Sequence, residues 1–476
     1  MWAVEKDPAL RSDFCNLTVL EHAPDPERLR AKIADALVAI PRLAQRVVSA
    51  PLRLAAPEWV DDPDLDLDYH IRHVALPAPG EMRDLLDLVA TLAESPFDRG
   101  RPLWEFTVIE GLSGGRAAML QKMHHTITDG VGGLKLSLAL VDLEPGADRD
   151  FAAPPAAVVS GEDLPGTDSP GTDRPHRQPA RSAISASIDG TRHAVRDAAA
   201  KQLQFAKQTV EGAAHLATHP LEVPEAIGDA ARLAGSVRRQ VLVTEAAHSD
   251  LFTTRSLRRH FEVIAVPLDD LSATARALGG SINDVFVTAI AGGLGAYHAQ
   301  LGSEVADLRM AMAVSTRERG DSTPNRFAPS RVVIPIAPPD VLPRFAATRA
   351  ALDSAKHERA FQSLDRLAVL ASGMPTSILV VFTRAQTRTI DFATSNMRGS
   401  PVPLYLAGAR IEANYPLGPR TGCAVNATML SYCNECHVGI NIDPASVTDI
   451  PRLMEAIRAS FTAVIATAAD ITSTRA

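Results

Sequence analysis

Disulfide capacity is nearly missing from this chain, with four cysteines in 476 residues. That is too few for a disulfide framework at this length. Long apolar runs are missing as well: no stretch approaches the roughly 20 apolar residues of a membrane-spanning helix. The opening MWAVEKDPALRSDF acquires charge at once, so no signal peptide is expected. Excess positive charge is also lacking, since 48 Lys and Arg face 56 Asp and Glu, a formal net of −8. With no long basic run either, nucleic acid is not expected as a partner. A cytoplasmic protein is the default expectation. What is present is globular composition, 46% hydrophobic and 22% charged, in a chain long enough for two or three domains.

The pattern from Asp13 to about residue 145 alternates strand and helix. FCNLTVLEH reads as a strand, and PERLRAKIADALVAIPRL as a helix capped by Asp25 with Pro26 at its first position. RHVALP is a further strand. PLWEFTVIEGLSGGRAAMLQKMHH reads as two strands turning at Ser113–Gly115, and GLKLSLALVDL as a helix. Residues 146–182, rich in Pro, Gly, Asp and Ser, read as a linker. Residues 183–250 read as a helical connecting segment. Its basic positions Arg192, Arg196, Lys201 and Lys207 suit either packing on its own domain or contact with a membrane surface. A second mixed region spans 251–476. It carries a strand at RHFEVIAVPL, a helix at LDDLSATARAL, a capped helix starting at Ser281, and further strands at LRMAMAVS, SRVVIPI and SILVVF. The expected fold class is α/β with mixed sheets, in two halves.

QKMHHTITDGVGG, Gln121 to Gly133, places two histidines at the end of a strand, an acid four residues on, and three glycines close behind. Loops after strands commonly present reacting groups. Adjacent strand residues point to opposite faces, so His124 and His125 do not suit one metal ion, and no HExxH run completes a site. GLSGG (Gly111–Gly115) has glycines as a nucleophile elbow does, but it lies between two strands with no helix after it, so it reads as a hairpin turn. CNECH (Cys433–His437) matches the haem-attachment pattern, but export is not expected. A hairpin turning at Asn434–Glu435 is the better reading, and a paired thiol site the second. Two readings of the histidine pair stay open. One is a single imidazole acting as general base, good for about 10²–10⁴-fold in rate, with Gly130 allowing a tight turn. The other is a hydrogen-bonded pair ending a strand.

HHTITDG (His124–Gly130) resembles the HHxxxDG signature of the coenzyme-A-dependent acyltransferase and condensation superfamily. RPLWEFTVIEGL, PEWVDDPDLDLDYHIRHVALPAPG, SINDVF and AVSTRER, in that family's elements, resemble the bacterial wax ester synthase/diacylglycerol acyltransferase family across nearly the whole chain. The resemblance implies two chloramphenicol-acetyltransferase-like domains, 1–145 and 251–476, with the active-site tunnel between them. It implies His125 as the base that deprotonates an acceptor hydroxyl, with His124, Asp129 and Gly130 completing the motif and Asp129 pairing with an arginine, for which Arg317 is the candidate. It places Asn283 and Asp284 near the substrate, at a helix start whose dipole favours negative charge. Trp104 is expected to pack beside the site. Acyl-CoA is implied as co-substrate, diacylglycerol or a long-chain alcohol as acceptor, and no metal or other cofactor. The implied location is cytoplasmic, peripheral to the inner membrane face or to lipid droplets.

One segment departs from the family pattern. Where Asn-Val-Pro-Gly-Pro is usual, this chain has SNMRGSPVP (Ser395–Pro403), which bears on tunnel shape and acceptor preference. A non-catalytic lipid-binding relative is therefore one alternative. A condensation-type enzyme is another, although such enzymes sit among carrier domains for which this chain has no room.

Overall fold

Two sheets with helices packed on them organise the computed structural model, which describes residues 2, 4–49, 57–127, 139–146, 247–315, 327–337, 339–356 and 376–475. Asp129, Gly130 and Arg317 lie outside the described residues, as do 147–246 with the linker and the four basic positions. The first sheet runs β4 (Ile71–Ala75), β5 (Trp104–Leu112), β6 (Arg116–His124), β1 (Asp13–Leu20), β13 (Ala409–Leu417), β12 (Tyr405–Leu406), β7 (Val141–Asp142). The second runs β10 (Phe327–Pro335), β9 (Asp307–Ser315), β11 (Phe392–Arg398), β14 (Val425–Tyr432), β15 (Glu435–Ile442), β8 (His260–Pro267). A separate pair joins β2 (Gln45–Val48) to β3 (Glu58–Asp61). Residues 405–417, from the second half of the sequence, thus extend the first sheet.

Local chemistry explains the helices. In α1 (Pro26–Ala39) the Asp25 carboxylate accepts from the Arg28 backbone N–H at 2.8 Å, and proline fills a position whose N–H would have no partner. The four-residue α2 (Leu67–His70) leads into β4. In α3 (Met82–Glu94) the buried Leu85, Leu86, Val89, Ala90 and Ala93 form one stripe at helical spacing. Alternation in β1 sends Cys15, Leu17 and Val19 to that stripe and turns Phe14, Asn16 and Thr18 to the opposite face, the side on which α1 packs. The second sheet is covered by α4 (Leu268–Leu278), α5 (Ile282–Gln300), α6 (Val341–Lys356) and α8 (Ile450–Arg475). Helix α5 is apolar nearly all round, as suits a helix packed on several sides.

The two sheets meet where β15 crosses β13. A Cβ on Gly439 would lie 2.1 Å from the Pro416 carbonyl oxygen, so only glycine permits that approach. Two ion pairs tie the halves further. Arg259 Nη2 reaches Asp13 Oδ2 at 2.7 Å, with both side chains under 10% exposed, and Arg83 Nη1 reaches Glu262 Oε1 at 2.8 Å.

Three expectations need correction. SILVVF was expected as a strand but lies in α7 (Thr376–Thr387), which packs on the N-terminal turns through an Arg384–Asp7 ion pair of 3.0 Å. A short apolar run without period cannot by itself separate strand from helix. The end of GLKLSLALVDL is not helical: Val141 and Asp142 form β7, pairing with Leu406 and Tyr405. The CNECH hairpin turns at Cys433–Asn434 rather than Asn434–Glu435, both with positive φ of 47° and 69°, and Glu435 already pairs with Tyr432. There Cys436 faces the core while His437 faces Tyr415 at 5.0 Å between ring centroids. The two do not share a site.

Candidate active site

The paired histidines terminate β6, and strand alternation separates them. His124 is buried and points away from the α1 face. Its Nδ1 accepts from the Thr126 backbone N–H at 3.1 Å and lies 2.7 Å from Thr126 Oγ1. An Nδ1 that accepts must leave the proton on Nε2, which donates to Glu5 Oε2 at 2.5 Å. Glu5 is buried and also accepts from the Ser12 backbone N–H at 3.1 Å, with Arg99 at 3.6 Å. Burial by itself raises the Glu5 pKa, but the hydrogen bonds from His124 and Ser12 outweigh it and hold the carboxyl below its ordinary value. Both ring nitrogens of His124 are thus engaged in structure.

His125 follows in the turn. Its backbone N–H donates to the Ser12 carbonyl at 3.2 Å, and Ile127 N–H closes the turn onto the His124 carbonyl at 3.0 Å. The His125 ring packs against Phe14, 4.6 Å between centroids, and is only partly covered. Phe14 belongs to the face of β1 that also carries Asn16 and Thr18. On that face a cleft opens between the first sheet and the C-terminal ends of β11 and β14 in the second, lined by Asn16, Thr18, Gln121, Asn414, Ser400 and Tyr432 among others. The departing segment reaches this cleft through Gly399 and Ser400, with Gly399 N–H held by Ser431 Oγ at 3.2 Å.

The other face of the sheet is a buried charge layer. Lys122 Nζ donates to carbonyls at the C-terminal end of α3, Leu92 at 3.1 Å and the capping residue Ser95 at 2.5 Å, and lies 3.9 Å from Glu105. Burial draws the Lys122 pKa down. Trp104 is fully buried beside the end of β6, paired with Met123. Its Nε1–H donates to the Leu43 carbonyl at 2.8 Å, and its ring stacks on His70 at 4.4 Å. It is a wall of the core next to the site.

Asn283 and Asp284 sit in a different layer, at the start of α5. Asp284 Oδ2 accepts from the Ser281 backbone N–H at 2.8 Å, and Ser281 Oγ accepts from Asp284 N–H at 3.2 Å, a reciprocal cap. Asp284 Oδ1 is buried with no hydrogen-bond partner among the described residues. Asp284 touches Phe345-lined Gly280 and accepts through its backbone carbonyl from Thr288 Oγ1 at 2.6 Å.

Comparison with known proteins decides the relationship. The wax ester synthase/diacylglycerol acyltransferase catalytic domain matches residues 13–286, and the corresponding C-terminal domain matches 324–464. A Mycobacterium tuberculosis protein named as a diacylglycerol O-acyltransferase is 33% identical over 465 residues, 98% of this chain and 90% of the relative. The chain belongs to the wax ester synthase/diacylglycerol acyltransferase family. It is an acyltransferase. A second M. tuberculosis protein of that name, tgs1, is 29% identical over 460 residues, covering 94% of this chain and 90% of the relative. The wax ester synthase/diacylglycerol acyltransferase of Marinobacter aquaeolei VT8 superposes with a TM-score of 0.59 at 20% identity, covering 96% of this chain and 95% of that one. The first condensation domain of the calcium-dependent antibiotic synthetase gives 0.57 at 14%, covering 98% and 94%. These two share the fold, which has two similar domains.

In this acyltransferase, sequence reasoning missed Glu5, Ser12, Phe14 and the polar cleft row. Glu5 meets His124 across 119 positions, a separation no local pattern reports. The row was legible: period-two reading of DFCNLTVL puts Phe14, Asn16 and Thr18 on one face, and two polar residues there mark that face as only partly core.

Proposed function

We propose that this acyltransferase moves a long-chain fatty acyl group from acyl-CoA to the hydroxyl of diacylglycerol or a long-chain alcohol, with His125 as general base. The observation that carries the reading is the division of the pair. His124 is tied by both ring nitrogens to Glu5 and Thr126, while His125 turns to the cleft face beside Phe14. In the step proposed, the His125 imidazole takes the acceptor O–H proton and the oxygen attacks the thioester carbonyl. The tetrahedral adduct then collapses, an ester C–O bond replaces the C–S bond, and the thiolate takes the proton back from the imidazolium to leave as free coenzyme A. A thioester is already activated, so one base suffices and neither a metal nor a further cofactor enters the scheme. Asp129, Gly130 and Arg317 are assigned to holding the histidine loop, and the start of α5 with Asn283 to favouring negative charge on bound substrate. Because the acceptors are water-insoluble, we place the protein in the cytoplasm, peripherally on a membrane or lipid droplet. Among the described residues no single helix is long and apolar enough to cross a membrane.

The test is direct. Purified protein is given palmitoyl-CoA with diolein or with hexadecanol, and free thiol and lipid products are followed together. Acceptor-dependent thiol release with matching ester is expected. No release, or release without any acceptor, contradicts the reading.

A further inference from the structure

The cleft on the Phe14 face of β1 carries more polarity than a fatty alcohol needs. A long-chain alcohol offers one hydroxyl, which the general base alone can engage. The cleft instead presents a ladder across three neighbouring strands. Asn16 Nδ2 donates to Thr18 Oγ1 at 3.3 Å and to Gln121 Oε1 at 3.4 Å, and Thr18 Oγ1 donates to Asn414 Oδ1 at 3.3 Å. All three bonds are longer than the usual 2.9–3.0 Å of N–H···O or 2.7–2.8 Å of O–H···O contacts, so they exchange readily for a better acceptor. The same cleft is also lined by Leu404, Leu406, Ile411 and Leu430, an apolar share of its surface. A row of amide and hydroxyl groups sharing one cleft with aliphatic side chains matches a molecule that carries both carbonyl oxygens and hydrocarbon.

Position fits the same molecule. Asn16 is the next residue after Phe14 on its face of β1, about 6–7 Å along the strand, and Phe14 touches the His125 ring. In a 1,2-diacylglycerol three bonds separate the reacting hydroxyl oxygen from the nearer ester oxygen. With that hydroxyl at His125, the ester groups fall along the ladder. We propose that this cleft is the acceptor head-group site, and that Asn16, Thr18, Gln121 and Asn414 recognise the ester carbonyls of a diacylglycerol. The ladder then sets the preference for a glycerolipid over a simple alcohol. This rests on the acyl-transfer reading for the role of His125, but binding can be tested apart from transfer.

The experiment uses the full chain without acyl-CoA. Binding of 1,2-dioctanoylglycerol and of decanol is measured by calorimetry for the parent and for Asn16→Leu, Asn414→Leu and the double variant, each checked by its melting curve. Loss of one net hydrogen bond weakens binding by about tenfold. The ratio of the two affinities is therefore expected to shift towards decanol by about tenfold in each single variant and further in the double. Should a leucine variant fail to fold, Asn16→Ser and Asn414→Ser shorten the reach of the donors while keeping a polar group, and the same shift in ratio is expected. An unchanged ratio, equal weakening of both ligands, or a parent that does not bind dioctanoylglycerol overturns the proposal. Absent acyl transfer with the ratio still shifting refutes the transfer reading and leaves the site standing. Transfer with an unchanged ratio does the reverse.

Discussion

Replacing Glu5 by alanine removes the acceptor on which the histidine turn rests. The carboxylate receives the Ser12 backbone N–H at 3.1 Å and the His124 Nε2–H at 2.5 Å, and its residue is 6% exposed. Two buried donors then lose their partner. Each such loss costs about 1–3 kcal/mol, so Glu5→Ala is expected to destabilise the fold by about 2–6 kcal/mol. Ser12 also holds the His125 backbone through its carbonyl, so acyl transfer is expected to fall more than the loss of folded protein explains. The pH dependence carries a second signature. Because the folded carboxyl titrates below its unfolded value, its stabilisation is complete above the ordinary carboxylate range and is lost as pH falls through the depressed value. Urea midpoints between pH 7 and pH 3 read both effects. The parent's acid-side fall should be shallower in Glu5→Ala, and Glu5→Gln should lie between them in stability. An unchanged midpoint at neutral pH in Glu5→Ala refutes the reasoning.

Trp104→Ala, which empties a fully buried indole site and orphans the Leu43 carbonyl, should cost about 3–5 kcal/mol by chemical denaturation; a loss under 1 kcal/mol contradicts its place in the core. Gly439→Ala puts a methyl 2.1 Å from the Pro416 oxygen, and overpacking of about 1–3 kcal/mol or more is expected; a normal melting curve shows that the sheets can separate there freely. Binding to anionic vesicles should weaken with salt and on changing Arg192, Arg196, Lys201 and Lys207 to Gln, each basic residue contributing about 1 kcal/mol near the surface. Salt-insensitive binding moves the contact elsewhere, with the exposed apolar Leu143 and Val402 as the next residues to change.

Elements with strong local signals are legible in the amino-acid sequence alone. Asp25 and Pro26 announce α1, Ser281 with Asp284 announces α5, and the glycines of GLSGG announce the β5–β6 turn, because caps and turns are set by a few adjacent residues. SILVVF misled because a run of six apolar residues has no period to measure. The addition of β12 and β13 to the first sheet was not legible, since a strand's partner is chosen by non-local packing rather than by its own residues. The site divides the same way. HHTITDG pointed to the turn to which the proposed base belongs, and period-two alternation separated its two histidines as the strand places them. The anchor of His124 at Glu5 and the contribution of Asn414 come from sequence positions more than a hundred residues away. Only the fold brings them in.

His125→Ala, assayed with palmitoyl-CoA and diolein beside the parent, measures the central claim most directly. The account predicts a fall in kcat of about 10²–10⁴-fold with an unchanged melting temperature, because the ring is only partly covered and its loss removes little packing. His124→Ala should instead lower the melting temperature, because it leaves the buried Glu5 carboxylate without its closest donor. Full activity in a folded His125→Ala protein would contradict the assignment of the base.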